Sequence, residues 1–236
     1  MKIILVSSHI NYFEKTKNMF FSLVNKEKIL KEFDIRFIIG GASDTNNKDY
    51  DIFKFVKYNS FELTSLYYAI DNNIENFLLL HDTSIISFSF LEKIKNLYAP
   101  AKLAKNVWSG SMGNYDKDSI NCFKTTAYDE CYNTSNDSFN LKNIKELAMK
   151  YEDFFTFRHS DNHCFSQESI KNMNKRNCVF LGDNYQEINI DTFNKETLNK
   201  LNDVNLSNRI IEKFDCGIYK LKANYAGITK KYIYEV

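Results

Sequence analysis

The chain has 236 residues and a formal net charge of +1, and 44% of its residues are hydrophobic. This apolar content excludes an intrinsically disordered chain, and the length fits one domain spanning 1–236. The near-neutral charge gives no support for a nucleic-acid partner, which normally requires a basic surface. The five cysteines form no CxxC pair, so the sequence predicts neither a disulfide framework nor a zinc knuckle.

The N-terminal stretch MKIILVSSH carries an apolar run of four residues. This run is too short for the core of a signal peptide and is typical of a first β-strand. No window approaches the roughly 18 apolar residues of a membrane span. We therefore expect a cytoplasmic protein without a transmembrane segment.

The first hundred residues alternate between short apolar runs and stretches of helical periodicity. Strands are predicted at 3–6, 33–39, 52–58 and 77–80, and helices at 12–24, 61–72 and 90–97. Asn59 or Ser60 is expected to cap the second helix, and Ser89 with Glu92 predicts a capping box for the third. The alternation predicts an α/β fold with a mostly parallel central sheet and flanking helices, which is Rossmann-like.

Small or polar residues follow each predicted strand. The four strand ends carry Ser7-Ser8-His9, Gly40-Gly41-Ala42-Ser43-Asp44, Asn59-Ser60 and His81-Asp82-Thr83. Ligands of open α/β sheets collect at the carboxyl ends of the strands, so these residues predict a nucleotide-binding crevice. We accordingly assign 1–100 to a nucleotide-binding half.

The pattern changes after Pro100 and predicts a mixed α+β C-terminal half. Short strands are expected at 107–110 and 120–125, around a turn near Asn114 and Asp116, and at 178–181. Helices are expected at 141–155, 167–174, 196–201 and 206–214. The last twenty residues are basic and rich in tyrosine, which suits either a solvated edge or contact with phosphate or a polymer.

The triplet His81-Asp82-Thr83 after the most apolar strand has two interpretations. In the first, Asp82 binds a divalent cation that carries a diphosphate, because Mg²⁺ and Mn²⁺ prefer oxygen ligands. In the second, His81 and Thr83 end the strand and Asp82 begins a turn. A second polar cluster, His159, Asp161 and His163, suits either a metal ligand with a general base or a solvated loop.

Several phosphate-binding and hydrolase motifs are missing. The chain contains no GxGxxG after the first strand, no GxxxxGK[ST] and no GxSxG. A dinucleotide fingerprint, a P-loop and a hydrolase nucleophile elbow are therefore not expected.

The run NSFELTSLYYAIDNNIENFLLLHDT, together with the first two strand ends, resembles the core of GT-A type glycosyltransferases, the nucleotide-diphospho-sugar transferase fold. In that family an apolar strand ends in Asp-x-Asp, which holds Mn²⁺ or Mg²⁺ on a sugar nucleotide. Here Asp82 stands within that motif, although the triplet has one acidic residue where the family has two. The resemblance covers about 1–100, and 101–236 would then form the acceptor-side half with a helical, basic tail.

The resemblance implies a glycosyltransferase that moves a sugar from a nucleotide-diphosphate donor to a hydroxyl of a glycan or other acceptor. It implies these donor-binding residues: Ser7, Ser8, His9, Asp44, Asn59, His81 and Asp82. Asp82 and His163 would bind Mn²⁺ or Mg²⁺, and Asp161, with His159 second, would be the catalytic base. Two alternatives stay open, a GT-A-like binding or structural protein without catalysis and a nucleotidyltransferase on a related sheet.

Overall fold

A computed structural model describes these parts of the chain: 1–42, 52–59, 61–104, 111–126, 128–129, 132, 179–189, 193 and 210–221. Several predicted elements lie outside these residues, namely the strand at 107–110 and the helices at 141–155, 167–174 and 196–201. The proposed cluster of His159, Asp161 and His163 also lies outside them, as does Asp44.

The described chain contains eleven strands and five α-helices. The strands are β1 Lys2–His9, β2 Phe33–Gly40, β3 Phe53–Phe55, β4 Phe77–His81, β5 Ser84–Ile86, β6 Ala101–Lys102, β7 Gly113–Tyr115, β8 Val179–Phe180, β9 Tyr185–Asn189, β10 Ile210–Phe214 and β11 Ile218–Leu221. The helices are α1 Phe13–Thr16, α2 Lys26–Glu32, α3 Thr64–Asp71, α4 Phe88–Ile94 and α5 Lys117–Thr126, and a 3₁₀ turn, Phe61–Leu63, precedes α3.

Seven strands form one mixed sheet in the order β3-β2-β1-β4-β7-β6-β8. Strands β3, β2, β1 and β4 run parallel, and β7 is antiparallel to both of its neighbours, β4 and β6. β8 pairs with β6 in parallel. The chain is therefore an α/β protein, and the expected parallel sheet is confirmed for its first four strands.

The central strands are buried on both faces. Alternate residues of β1 and β4 enter two separate core clusters: Ile4, Val6, Leu78 and Leu80 pack on one face, and Leu5, Phe77 and Leu79 on the other. The first cluster contains residues of α2 and α4, and the second contains residues of α3 and α5. A strand covered on both faces has no need of polar alternation, which explains the continuous apolar runs.

A second, four-stranded antiparallel sheet has the order β5-β11-β10-β9. It begins directly after β4, since only Asp82 and Thr83 separate β4 from β5. The Leu221 N–H donates to the Thr83 carbonyl at 2.9 Å. The two sheets therefore meet at the residues that follow β4.

Four points in the first hundred residues need correction. Asn59 does not cap α3, whose N-cap position is Leu63 without a side-chain hydrogen bond, because a 3₁₀ turn precedes the helix. The helix expected at 12–24 is limited to α1, and the following residues form turns. Helix α2 was missed, although Asn25 caps it by accepting the Lys28 N–H at 2.9 Å. The cap of α4 is Ser87 rather than Ser89, because β5 uses the preceding residues and the helix begins two positions earlier than expected.

Three predictions for the C-terminal half are wrong. Asn114, which was expected near a turn, lies in β7 and pairs with β4 and β6. Residues 120–125 lie in α5, whose first turn is fixed by Asp116: its Oδ1 accepts the Ser119 N–H at 2.8 Å. Residues 210–214 form β10 instead of the end of a helix, because pairing with β9 and β11 on both sides overrides local helical spacing. The strand expected at 178–181 is confirmed as β8.

Lys2 makes hydrogen bonds at the edge of the sheet where the parallel strands begin. Its Nζ donates to Asn76 Oδ1 and to the Leu97 carbonyl, both at 2.6 Å, and to Asn114 Oδ1. Burial lowers the pKa of this lysine to about 8. Lys2 is therefore a structural residue that joins β1 to the segments before β4 and within β7.

No helix in the described part of the chain has the length and hydrophobicity needed to cross a bilayer.

Candidate functional site at the ends of β1 and β4

The order β3-β2-β1-β4 places a switch point between β1 and β4. The chain moves outward from β1 to β2 and β3, then returns across the sheet to add β4 on the other side. Open α/β sheets bind ligands in the crevice outside the carboxyl ends of the two strands at such a point. The register pairs Ser7 with His81, and the Asp82 N–H donates to the Ser7 carbonyl at 3.0 Å. Two of the predicted polar strand ends therefore lie side by side.

Asp82 is held by two hydroxyl groups. Ser8 Oγ donates to Asp82 Oδ2 at 2.7 Å, and Thr16 Oγ1 donates to the same oxygen at 3.1 Å. Ser8 belongs to β1, and Thr16 is the last residue of α1. Both are buried, and Thr16 is completely inaccessible to solvent. The carboxylate thus connects the ends of β1 and β4 with the segment that follows β1.

The electrostatic state of Asp82 is unusual for an aspartate. The residue is half-buried, but its carboxyl group is enclosed by protein atoms. This desolvation raises the pKa of Asp82 to about 6, although hydrogen bonds from Ser8, Thr16 and two backbone N–H groups act in the opposite direction. A buried carboxyl group with a raised pKa at the end of a parallel strand is a candidate for a functional site.

The alternation of side chains along each strand explains which face of the sheet each polar residue lies on. Ser8 and Asp82 have the same parity as Val6 and Leu80, so they face the side of the sheet that carries α1. Ser7 and His81 have the parity of Leu5 and Leu79 and face the opposite side. The site is consequently split between the two faces of the sheet.

On the second face, Ser7 and His81 are bound to buried serines. Ser7 Oγ donates to Ser65 Oγ of α3 at 2.7 Å. His81 Nε2 lies 2.8 Å from Ser111 Oγ, just before β7. These contacts join α3 and the segment before β7 to the ends of β1 and β4.

His9 closes the end of β1 against β2. The Asn11 N–H donates to His9 Nδ1 at 3.1 Å, so the neutral ring carries its proton on Nε2. Burial lowers the pKa of His9, which favours this neutral form. Gly41 has φ +74°, and a Cβ there would lie 2.8 Å from His9 Nε2. Glycine is therefore needed at 41 for the imidazole to lie against the backbone.

Asn59 follows β3 at the same edge of the sheet. Its Oδ1 accepts the Phe61 N–H at 3.5 Å, and the carbonyl of the preceding Tyr58 accepts the Gly41 N–H at 3.0 Å. Asn59 thus holds the turn that leads into α3. Its predicted contact with a nucleotide sugar remains a prediction.

The described residues contain no group of three or more His, Cys, Asp or Glu side chains placed to hold a metal ion. Asp82 offers one carboxylate, and its Oδ2 is already shared by two hydroxyls. This arrangement does not form an all-protein metal site. A Mg²⁺ or Mn²⁺ ion bound to Asp82 would have to receive most of its ligands from diphosphate oxygens and water, and Mg²⁺ usually keeps several waters.

Sequence reasoning did not predict three residues of this site. Thr16 and Ser65 lie in stretches whose apolar helical spacing gives no signal for a polar contact, and Ser111 lies at the start of a segment without strong periodicity. If β1 and β4 are assumed to be parallel neighbours in the observed register, Ser8 and Asp82 fall on the same face of the sheet. Their hydrogen bond could then be expected. No sequence pattern indicates the contact with Thr16, because it depends on the turn after β1.

The chain matches no model of a known protein family, and a search of curated proteins finds no match to it. The functional class of the protein therefore rests on its fold and on the residues at the ends of β1 and β4.

Proposed function

We propose that this protein is a glycosyltransferase that moves a sugar from a nucleotide-diphosphate donor to an acceptor hydroxyl. The observation that carries the proposal is the position of Asp82. It lies at the switch point of an α/β sheet, immediately after a buried parallel strand, and its Oδ2 is 2.7 Å from Ser8 Oγ of the neighbouring strand end. Strand ends at a switch point are where α/β sheets bind nucleotides, and a carboxylate there suits a cation bound to the diphosphate of the nucleotide.

The order β3-β2-β1-β4 supports a nucleotide-binding half within 1–100, with the donor lying across the ends of β1 and β4. On this proposal the fold is of the GT-A kind. The base of the nucleotide would lie over the loops at Ser8 and Asp44, and Asp82 would face the diphosphate. The acceptor would approach from the C-terminal half, in which Asp161, with His159 second, is the proposed base and His163 a further metal ligand.

In the proposed reaction, the step that most needs stabilisation is the departure of the nucleoside diphosphate. As the sugar departs, negative charge accumulates on the nucleoside diphosphate, and this charge must be offset for the bond to break. A Mn²⁺ or Mg²⁺ ion would supply that positive charge when bound. Asp82 would orient the diphosphate through the ion, and the hydroxyls on its Oδ2 would keep the carboxylate fixed during the reaction.

The test is calorimetry with uridine or guanosine diphosphate, with and without Mn²⁺, followed by assays of sugar-nucleotide hydrolysis and transfer. We expect binding that is strengthened by Mn²⁺ in the wild type. Asp82→Asn should abolish the effect of Mn²⁺ and reduce turnover by at least about 100-fold, because the anionic oxygen is lost while the shape is kept.

Asp34→Asn is a suitable control, because Asp34 forms its ion pair with Arg36 on β2 and takes no part in the crevice. This variant should bind and react as the wild type does. Transfer by Asp82→Asn at the wild-type rate would contradict the proposed mechanism, and the failure of the wild type to bind any nucleoside diphosphate would contradict the function itself.

A second candidate function, a GT-A-like binding protein without catalysis, is favoured by one observation. The triplet carries a single carboxylate, and its Oδ2 already accepts two internal hydrogen bonds. Under this alternative the protein binds a nucleoside diphosphate without dependence on Mn²⁺, and the assays detect neither hydrolysis nor transfer. The calorimetric comparison with and without Mn²⁺ separates the two functions.

A further inference from the structure

Thr16 is the buried partner of Asp82 that lies outside the parallel strands. Its hydroxyl is 3.1 Å from Asp82 Oδ2 and 3.3 Å from the Tyr12 carbonyl, so two acceptors compete for one proton. The carboxylate is both nearer and charged, and a charge-assisted hydrogen bond is the stronger of the two. The hydroxyl proton is therefore directed to Asp82.

Two features place Thr16 where this contact is possible. The Thr16 N–H donates to the Tyr12 carbonyl at 3.2 Å, which closes the single turn of α1, and the Met19 N–H donates to the Thr16 carbonyl at 2.9 Å. Neighbouring side chains anchor the turn: Phe13 contacts Phe53 and Phe55 edge-on, and Met19 is buried in a core cluster with residues of the second sheet. Thr16 consequently lies in a segment that packs against strand β3 and against the second sheet.

We propose that Thr16 is a positioning residue for Asp82, and this inference rests on the proposed function. Together with Ser8 it holds Oδ2, which fixes the orientation of the carboxylate and leaves Oδ1 as the oxygen that neither hydroxyl takes. An outer residue of this kind sets the direction of a metal-binding carboxylate without touching the ion or the substrate. Thr16 thereby adds a third element, the segment after β1, to a site otherwise formed by two strand ends.

The experiment compares Thr16→Val, which keeps the shape and removes the hydroxyl, with Thr16→Ser, which keeps the hydroxyl and removes a methyl group. Calorimetry with UDP and Mn²⁺ is the first readout. Thr16→Val should weaken the affinity for Mn²⁺–UDP by about 10- to 100-fold, the usual cost of losing an outer hydrogen bond to a metal ligand. Thr16→Ser should keep the wild-type affinity, although it creates the larger packing defect.

Ser22→Ala is the matched control. Ser22 lies in the same segment after β1, and its Oγ has no hydrogen-bond partner among the described residues. Its removal should leave Mn²⁺–UDP binding unchanged. If Thr16→Val binds as tightly as the wild type, or if Thr16→Ser loses as much affinity as Thr16→Val, the role of the hydroxyl in positioning is refuted.

The second readout does not depend on nucleotide binding. Crystal structures of the free wild type and of Thr16→Val should show the Asp82 side chain in different orientations, and Thr16→Ser should restore the wild-type orientation. An unchanged Asp82 in Thr16→Val overturns the inference. If the wild type binds no UDP but the Asp82 orientation still depends on the Thr16 hydroxyl, the proposed function fails while the positioning contact stands.

Discussion

At the scale of single residues, Asp82 is kept charged at neutral pH at a cost in stability. Its folded pKa of about 6 is raised above the ordinary value of 3.8 because burial removes water from the carboxyl group. The protonated form of Asp82 is therefore favoured by folding. Its contribution to the free energy of unfolding is complete below about pH 3.8 and is lost as the pH rises through 6. Above pH 6 the loss amounts to at most about 3 kcal/mol of the free energy of unfolding.

Asp82→Asn in metal-free protein should consequently be more stable than the wild type at pH 7.5, by about 1 to 3 kcal/mol, and nearly equal to it at pH 4. The amide oxygen still accepts hydrogen bonds from Ser8 and Thr16, so the neutral side chain keeps the local geometry. Urea unfolding at both pH values, with a chelator present, measures the difference. A stability difference that does not change with pH would contradict a raised pKa at Asp82.

This residue also shows why a loss of function on substitution is informative. A variant that becomes more stable while it loses Mn²⁺-dependent binding cannot have lost binding by unfolding. Such an exchange between stability and activity is expected where a polar group is buried for its chemistry rather than for the fold.

At the scale of elements, the turn between β10 and β11 links the second sheet to α4. Gly217 has φ +97°, and a Cβ at this position would lie 2.5 and 2.6 Å from the hydroxyl oxygens of Ser89 and Ser87. Ser87 Oγ also donates to the Gly217 carbonyl while it accepts the Phe90 N–H at the start of α4. The glycine is therefore required both for its backbone conformation and for close contact with the helix cap.

Gly217→Ala should destabilise the protein by about 1 to 3 kcal/mol, because the positive φ is strained and the new methyl group displaces the cap. Chemical denaturation measures this loss, and Lys213→Ala on the same hairpin is a control that should change stability by less than about 0.5 kcal/mol. Equal stability of Gly217→Ala and the control would show that the turn and the cap are not coupled.

At the scale of the whole molecule, the residues that follow β4 lie where the two sheets meet. Asp82 and Thr83 join β4 to β5, and the Thr83 carbonyl accepts the N–H of Leu221 from the far end of the second sheet. A ligand bound to Asp82 should therefore stabilise both sheets together rather than one segment alone.

UDP with Mn²⁺, at about 100 times the dissociation constant, should add about 2.7 kcal/mol and raise the Tm by about 5 to 10 °C in one transition. Differential scanning calorimetry measures the shift. Mn²⁺ with inorganic phosphate is the control for weak ion binding and should produce a much smaller shift. Two separate transitions, with only one of them moved by the ligand, would contradict the coupling of the sheets.

The four parallel strands of the central sheet were the most predictable part of the molecule, whereas β6 and β7 of the same sheet were not predicted. Continuous apolar runs such as Phe77–Leu80 can be buried on both faces only inside a sheet covered by two layers of helices, so their local sequence is sufficient. The polar tips Ser7-Ser8-His9 and His81-Asp82-Thr83 were equally visible, because they interrupt these runs abruptly. Short elements were less predictable: β10 follows a helical spacing, yet its backbone pairs with two strands that are distant along the chain.

By itself, the sequence determined that the chain is α/β, that its early strands are buried, and that polar residues stand at their carboxyl ends. These properties follow from local periodicity, which depends only on neighbouring residues. The tertiary structure decided which strand ends are adjacent, that Thr16 shares Asp82 Oδ2 with Ser8, and that a second sheet begins at Thr83. Those features depend on strand order and on the turn after β1. The hydrogen bonds of Asp82 with Ser8 and Thr16 join residues 74 and 66 positions apart, a separation over which local periodicity carries no information.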